Sequence, residues 1–517
     1  MSNRRSIFKL MLLFLVIVGV IDTGYLTYKH FFQPIGICLA GPFGDCGKVL
    51  SSEYSILFGV PLALLGMLHY LWMGTLVWLS YSLGSDIYKR FAFIQSAIGV
   101  VFSLYLTYLQ FFIIKSLCPY CLFSALVCLT IYIFIRKEWH DEYKSFVLEK
   151  IEIVYKLFAK PLFFILPAEW VHEQAMYWGE LAGKIPLKKV VLRHMFSFKH
   201  PVLQQKIGKT IFENPIGLSA GYDYMSSFTQ ILPTIGFGFE TVGTISNMPF
   251  EGNKKPRLGR LPLSRSLLVN KGFRNPGADV TIKKLKRMSF EFPLGISIGK
   301  TNSIEIAGTQ KDAVSDVVEA FKKFQKGRLK NAYYELNISC PNLKGGVSFY
   351  PPKELKKLLL ALDIVKIKKP VFVKMPIEKT DDEVKKMLDV IVKHKWITGV
   401  IFGNLQKDRK DPSLVVEEIQ KAGVGNFSGK PTYRRSNELI KLAYSGYGKK
   451  LIIIGCGGVF TPEDAYRKIR LGATLIQMIT GMIFEGPQRI TQINRGLVEL
   501  LQADGYSNIS EAVGVDA

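Results

Sequence analysis

Four apolar stretches, residues 8–28, 56–81, 91–114 and 117–135, constrain the fold of this chain more than anything else in it. Each is long enough for a helix to cross a hydrocarbon core of about 30 Å, where an unpaired backbone finds no partner. A cleaved signal peptide gives way to polar sequence, whereas here apolar sequence continues after the first stretch. The expectation is an all-α, four-helix transmembrane bundle over residues 1–137. Arg4, Arg5 and Lys9 precede the first span, Lys89 and Arg90 separate the second from the third, and Arg136 and Lys137 follow the fourth. The excess of basic residues on the inner side of membranes puts those segments and both termini in the cytoplasm, and the 29–55 loop outside. Residues 1–137 hold ten Lys/Arg and four Asp/Glu, so most of the net +25 of the 517-residue chain lies beyond them. A basic remainder tied to membrane spans reads as attraction to an anionic lipid surface; no nucleic-acid-binding motif accompanies the charge.

Four of the seven cysteines fall on the outward side: Cys38 and Cys46 in the long loop, and Cys118-Pro119-Tyr120-Cys121 opening the fourth span. A CxxC at a helix start places its first thiol near the positive end of the helix dipole, which lowers a thiol pKa. Four cysteines also suit a structural zinc, but an oxidising outer face favours a disulfide relay. Cys128 reads as packing. These cysteines, with Ser51-Ser52 and Phe58-Gly59-Val60-Pro61-Leu62, resemble the vitamin K epoxide reductase family across about residues 1–137. The resemblance implies a bundle around a quinone, with Cys118 and Cys121 exchanging electrons with it. Cys38 and Cys46 would then shuttle electrons from a separate, external thioredoxin-like thiol protein.

From 138 to 150 the composition turns polar, marking a boundary. Two amphipathic segments follow, 151–166 and 167–184, rich in Phe, Tyr and Trp. They suit helices packed on the next domain and equally an interfacial hairpin dipping into lipid headgroups. The expected organisation is a bundle over 1–137, linker and amphipathic helices over 138–205, a barrel over 206–502 and a tail over 503–517.

Beyond residue 206, short β-branched runs alternate with helical patterns, which argues for βα units and a parallel sheet. The runs are 214–221, 239–245, 293–299, 332–339, 370–376, 399–404, 451–458 and 474–480. Eight of them predict an α/β TIM barrel, (β/α)8, whose chemistry belongs at the C-terminal strand ends. Polar and small residues collect there: Ala220 and Gly221, Thr244, Ser297, Lys374, Asn404, Gly458 and Thr480. The fourth run ends in Asn337-Ile338-Ser339-Cys340-Pro341-Asn342, two amides flanking a thiol; alone, it is equally a Pro/Asn turn with an incidental cysteine. The turn at Gly455-Cys456-Gly457-Gly458 and the pair Thr480-Gly481 suit a phosphate cradle. Lys374 ends an otherwise apolar run; facing inward it needs an anion, and facing solvent it needs none.

These motifs resemble the dihydroorotate dehydrogenases, class 2 in particular, over residues 151–501. The matching stretches are Leu166-Pro167-Ala168-Glu169-Trp170-Val171-His172, Asn214 to Asp223, Gly243-Thr244-Ile245-Ser246, Gly252 to Arg257, the Asn337 to Asn342 hexapeptide, Val373-Lys374, Ser428-Gly429-Lys430-Pro431 and Ile483 to Pro487. The resemblance implies FMN as cofactor, membrane quinone as electron acceptor, and dihydroorotate and orotate as substrate and product. It implies FMN contacts from Ala220, Gly221, Tyr224, Thr244, Ser297 and Asn337. Further contacts would come from Lys374, Gly403, Gly429, Gly458, Ile479 and Thr480. Cys340 would be the base, and Asn270, Asn337, Asn342, Asn404 and Leu405 would hold the substrate. The amphipathic hairpin would form a quinone tunnel.

The chain also departs from that pattern. Cys340 replaces the class 2 serine, Tyr224 a lysine, Ser297 an asparagine, Leu405 a threonine or serine, and Ile479 a tyrosine, while Asn270 is displaced by one residue. With a reference pKa of about 8.5, a thiol is a competent base near neutral pH. Two other readings stand beside this one: a flavin enzyme for a different dihydropyrimidine, and a barrel that no longer catalyses and serves the bundle. No metal-like His cluster is apparent.

Overall fold

In the computed structural model the described residues are 2–32 and 46–517, without the side chains of 2–7 and 140–142. They divide into two compact units, 1–149 and 150–517. Cys38 lies outside the described residues.

The first unit holds helices Ser2–Phe32, Leu62–Leu83, Asp86–Tyr108 and Pro119–Glu138, the third prolonged by a π-helical turn, Leu109–Ile114. All four are long and apolar enough to cross a membrane. Leu12, Val16, Met73, Val77 and Ile131 pack inside. Phe14, Ile21, Trp72, Phe91 and Leu104 are each more than half exposed, which suits an outer face solvated by lipid. Gly19 lets the first helix close on the second, since a Cβ there would lie 2.5 Å from the Tyr70 ring. The Tyr70 hydroxyl donates to the Ser124 carbonyl at 2.7 Å, tying in the fourth helix.

The second span is shorter than the apolar run predicts. Ile56–Leu57 and Val60–Pro61 form a small antiparallel hairpin, and the helix starts only at Leu62. Pro61 holds the residue before it out of the helical region, and Phe58 and Gly59 both take positive φ at the turn. The charged stretch around 138–150 is largely helical, within His140–Val154.

In the second unit eight parallel strands close a barrel in sequence order: Ile216–Leu218, Phe239–Ile245, Leu294–Ile298, Tyr333–Asn337, Val371–Met375, Ile397–Phe402, Ile452–Cys456 and Leu475–Met478. All eight expected runs are strands, and Ile476 pairs with Ile216 to close the ring. Helices including Gln310–Gly327, Pro352–Asp363, Asp381–Ile391 and Pro462–Arg470 cover the outside, burying Phe321, Leu355, Leu388 and Ile469. Thr309, Thr380 and Thr461 cap three of them by accepting backbone N–H bonds, a contact that contributes about 1 kcal/mol.

The N-terminal end of the barrel is filled. Phe239, Tyr333 and Phe372 meet there with Phe212, which comes from an antiparallel pair below the strands, Gln205–Ile207 with Thr210–Phe212. Phe212 and Tyr333 each stand edge-on to a neighbouring ring, at 5.4 Å from Phe239 and 5.5 Å from Phe372. Gly295 makes room for one of them, as a Cβ there would sit 2.2 Å from the Tyr333 ring. Open space is therefore left only toward the opposite, C-terminal end.

The helical segments Lys160–Ile165 and Ala168–Lys184 dock at that end. Phe164 packs edge-on against Phe484 at 5.2 Å, the Tyr155 hydroxyl donates to the Ile483 carbonyl at 2.6 Å, and Glu169 pairs with Arg257 and Arg274. Leu162, Ile165, Trp170, Tyr177 and Trp178 remain exposed on the same segments.

Gly295→Ala is expected to overpack the barrel, costing about 1–3 kcal/mol and lowering the thermal midpoint. Gly446→Ala, in an outer helix with nothing within 4 Å of the added Cβ, is expected to leave the midpoint unchanged or raise it. Thermal unfolding of the two variants beside the parent checks the contrast.

Candidate active site

The fourth strand ends at Asn337, and the loop beyond it is held by amides. Asn337 Nδ2 donates to Thr244 Oγ1 at 2.8 Å, while its Oδ1 accepts from the Ser339 N–H and hydroxyl at 3.1 and 2.9 Å. Asn404, past the sixth strand, donates to the Ser339 carbonyl at 2.7 Å. Asn342 donates to the Val269 carbonyl at 3.0 Å and accepts from Asn426 at 2.6 Å. These six bonds fix Asn337, Ser339 and Asn342 around Cys340, and Pro341 biases Cys340 itself toward extended backbone.

A cavity of about 740 Å³ opens over these strand ends. Cys340, Asn337, Asn342, Asn404, Leu405 and Lys374 line it, as do Ala220, Gly221, Tyr224, Thr244 and Gly403. Its far side is made by Gly429, Gly458, Ile479 and Thr480. Gly457 and Gly458 have φ of +93° and +71°, and a Cβ on either would run into Thr432 or Tyr433. That turn exposes backbone to a ligand as a phosphate cradle requires. The same cavity continues between the connector aromatics Phe163, Phe164, Trp170 and Trp178. A polar end and an apolar end therefore share one space.

Two residues read as site residues stand back from it. Ser297 is fully buried; Thr244 Oγ1 lies 2.8 Å from its hydroxyl, which donates to Glu335 at 2.7 Å. Asn270 accepts from Asn253 at 3.0 Å and does not line the cavity. Both serve polar networks behind the wall.

Lys374 faces inward, and its anion is partly supplied from within the chain. Its Nζ donates to Ser219 at 3.0 Å and lies 4.0 Å from the fully buried Glu335 carboxylate. The expectation that only a bound anion could compensate it missed Glu335, although an acid inside the apolar 332–336 run was the visible signal. Glu335 Oε2 has no partner among the described residues, so the pair can take one more donor.

Burial pushes the Cys340 thiol up to about 12, with the Asn342 N–H, Lys374 and Lys300 pulling weakly the other way. From the sequence the thiol reads as a competent base near neutral pH; burial works against that role, and the two lysines work for it.

Tyr224 does not leave its corner without positive charge. Lys271 Nζ lies 4.8 Å from the centre of its ring and the Arg274 guanidinium 5.5 Å. Neither cation stands out in the sequence, where both sit in an ordinary basic loop.

In the bundle, Cys46 and Cys118 are buried together with Val49 beside Cys121. Cys118 caps the fourth helix, accepting from the Cys121 N–H at 3.4 Å, as the CxxC position implies. Cys121 and Cys128 line a second cavity of about 230 Å³ with His69 and Tyr70.

Alkylation of Cys340, followed by peptide mass spectrometry, is expected to be slow for a cysteine at about pH 8 and still climbing above about pH 10, because the thiolate is the reacting form. A rate that levels off near pH 8.5, the ordinary thiol range, would contradict the burial effect.

Residues 202–501 match the dihydroorotate dehydrogenase family model, and residues 10–135 match that of the vitamin K epoxide reductase family. Dihydroorotate dehydrogenase (quinone) of Trichodesmium erythraeum is 35% identical over 369 residues, covering 67% of this chain and 94% of that protein. Its Nocardia farcinica namesake is 31% identical over 357 residues, covering 68% and 95%. Among solved structures, Eimeria tenella DHODH in complex with ferulenol superposes with a TM-score of 0.60 at 27% identity, covering 68% of this chain and 96% of that one. With the closed barrel and its strand-end cavity, these matches agree with both resemblances read in the motifs. The chain belongs to the dihydroorotate dehydrogenase family, and its first 135 residues add a segment matching the vitamin K epoxide reductase family.

Proposed function

We propose that the barrel oxidises dihydroorotate to orotate and delivers the two electrons to quinone, within pyrimidine biosynthesis. The observation that carries this reading is the single cavity joining the Cys340 and Lys374 end to the aromatic connector. The residues present suit FMN: a glycine turn with positive φ for its phosphate, open backbone at Gly221, and a lysine above a carboxylate with spare acceptor capacity. When bound, FMN supplies the acceptor for the substrate's hydride and the relay to quinone.

The chain's own residues do the rest. Gly429, Gly458 and Thr480 hold the phosphate end, and Ala220, Gly221, Thr244, Gly403 and Ile479 line the body of the site. Asn337, Asn342 and Asn404, already fixed by the loop network, orient the dihydropyrimidine ring so that its C5 proton faces Cys340. Cys340 takes that proton as thiolate, a form that Lys374 and Lys300 favour. Lys374 would hold the edge of the flavin that takes up negative charge, and its ammonium would offset that charge. Phe163, Trp170 and Trp178 give quinone an apolar approach.

The bundle spans the cell membrane in this reading, with both termini and the barrel cytoplasmic and the redox cysteines outside. Cys118 and Cys121 pass electrons from an external thioredoxin-like dithiol to quinone, and Cys38 and Cys46 relay them. Burial of Cys46 beside Cys118 supports that order. Each half reduces quinone on its own account.

Purified full chain supplied with dihydroorotate and a quinone analogue is expected to lose turnover about 10²–10⁴-fold in Cys340→Ala, the usual range for removing a general base. Cys118→Ala, in the other unit, is expected to keep it. Equal loss in both variants would refute independent halves, and no turnover in the parent would refute the substrate.

A further inference from the structure

Lys271 is nine-tenths buried on the wall of the barrel cavity, yet among the described residues no carboxylate stands within ion-pair distance of it. Its Nζ lies 3.0 Å from His172 Nδ1. His172 Nε2 faces the Tyr222 carbonyl at 2.9 Å, so Nε2 carries the proton and Nδ1 accepts from the lysine. Burial, and then Lys271 itself, keep that imidazole neutral by holding its pKa well below the ordinary value. The ammonium is thus met by a neutral ring nitrogen and the face of Tyr224, neither of which compensates a full charge.

Lys374, the other lysine on this wall, has Glu335. Lys271 has no counterpart to it, and burial pulls its ammonium down to about 7. Among the charged groups around it, Glu169 and Glu173 of the connector favour the cation, while Arg274 and Arg257 disfavour it.

The segment that carries Lys271 is stitched to the substrate loop. Asn342 holds the Val269 carbonyl at 3.0 Å, and the Asn253 N–H donates to the Lys271 carbonyl at 3.2 Å. Asn253 also donates to the Asn342 carbonyl at 2.9 Å. Lys271, Cys340 and Asn342 line the same cavity, so an anion held there is open to this lysine.

We propose that Lys271 binds the carboxylate of the cyclic substrate and product, so that the cation missing at position 224 is supplied from the neighbouring 269–272 segment. This rests on the dihydroorotate reading above. It makes Lys271 a specificity residue, because a ring without the carboxylate gains nothing from it. Tyr224 and His172 then cover part of the ammonium, and the cavity is where an anion would reach it.

The test is titration of the purified, flavin-loaded full chain with orotate and with uracil, read as the shift in flavin absorbance. Lys271→Met is expected to weaken orotate at least about tenfold, the scale of one charged hydrogen bond, with flavin content and uracil affinity unchanged. Lys271→Gln, which keeps a polar tail for His172, is expected to show the same loss, and adding Tyr224→Lys to Lys271→Met is expected to restore part of it. In the parent, orotate affinity falls as pH rises through the range where the lysine loses its proton; in Lys271→Met this dependence disappears. Unchanged orotate affinity, or equal weakening of orotate and uracil, overturns the proposal. Unchanged affinity with a lowered flavin midpoint potential would assign the charge to the reduced flavin instead. No absorbance shift in the parent overturns the substrate reading itself, and this inference with it.

Discussion

Everything at the site depends on where the barrel is full. Phe212, Phe239, Tyr333 and Phe372 pack the N-terminal end so closely that glycine is required at Gly217 and Gly295, where a Cβ would lie within 2.3 Å of a ring. With that end closed, the inward side chains of the strands' later halves face the one space left, and the loops after them become its walls. Asn337, Lys374 and Asn404 share a cavity for this reason, although they lie far apart along the chain.

Beneath the cavity floor the barrel holds charge in a way that aliphatic packing alone does not require. Glu335 accepts from Ser297 and stands near Lys374, and Asp223 is held by two backbone N–H groups with Glu240 beside it. Burial and the Asp223 charge raise Glu240 well above the ordinary carboxylate range, so it is the member of that pair that keeps its proton. Removing one partner from such a network costs more than the pair contributes, because the survivor is left buried and charged. Ser297 belongs to this floor: with serine there, its hydroxyl bridges Thr244 and Glu335 behind the wall.

The strands were legible because each is a short β-branched run between turn residues, and the outer helices because their apolar residues recur at helical spacing. The spans were legible from length alone, except where Pro61 and Gly59 turn apolar sequence into a hairpin. Most of the candidate site could be read too, since polar residues at strand ends have few structural uses. What could not be read was pairing across the chain. Glu335 beneath Lys374, and His172 against Lys271, join residues 39 and 99 positions apart, and composition carries no trace of either contact. Nor could sequence show that its surroundings would push the Cys340 thiol up, since a thiol's acidity is set by those surroundings rather than by its neighbours in the chain.

The central claim is that a flavin ring lies across the barrel mouth between the Cys340 sulfur and the Lys374 ammonium. An experimental structure of the full chain, purified with its native ligands and supplied with orotate, tests it most directly. The account predicts density for a tricyclic ring within hydrogen-bond reach of Lys374, with its phosphate at Gly457 and Gly458 and orotate between the ring and Cys340. A cavity holding no flavin in well-folded protein, or a ring bound elsewhere with Cys340 and Lys374 facing different spaces, would contradict it.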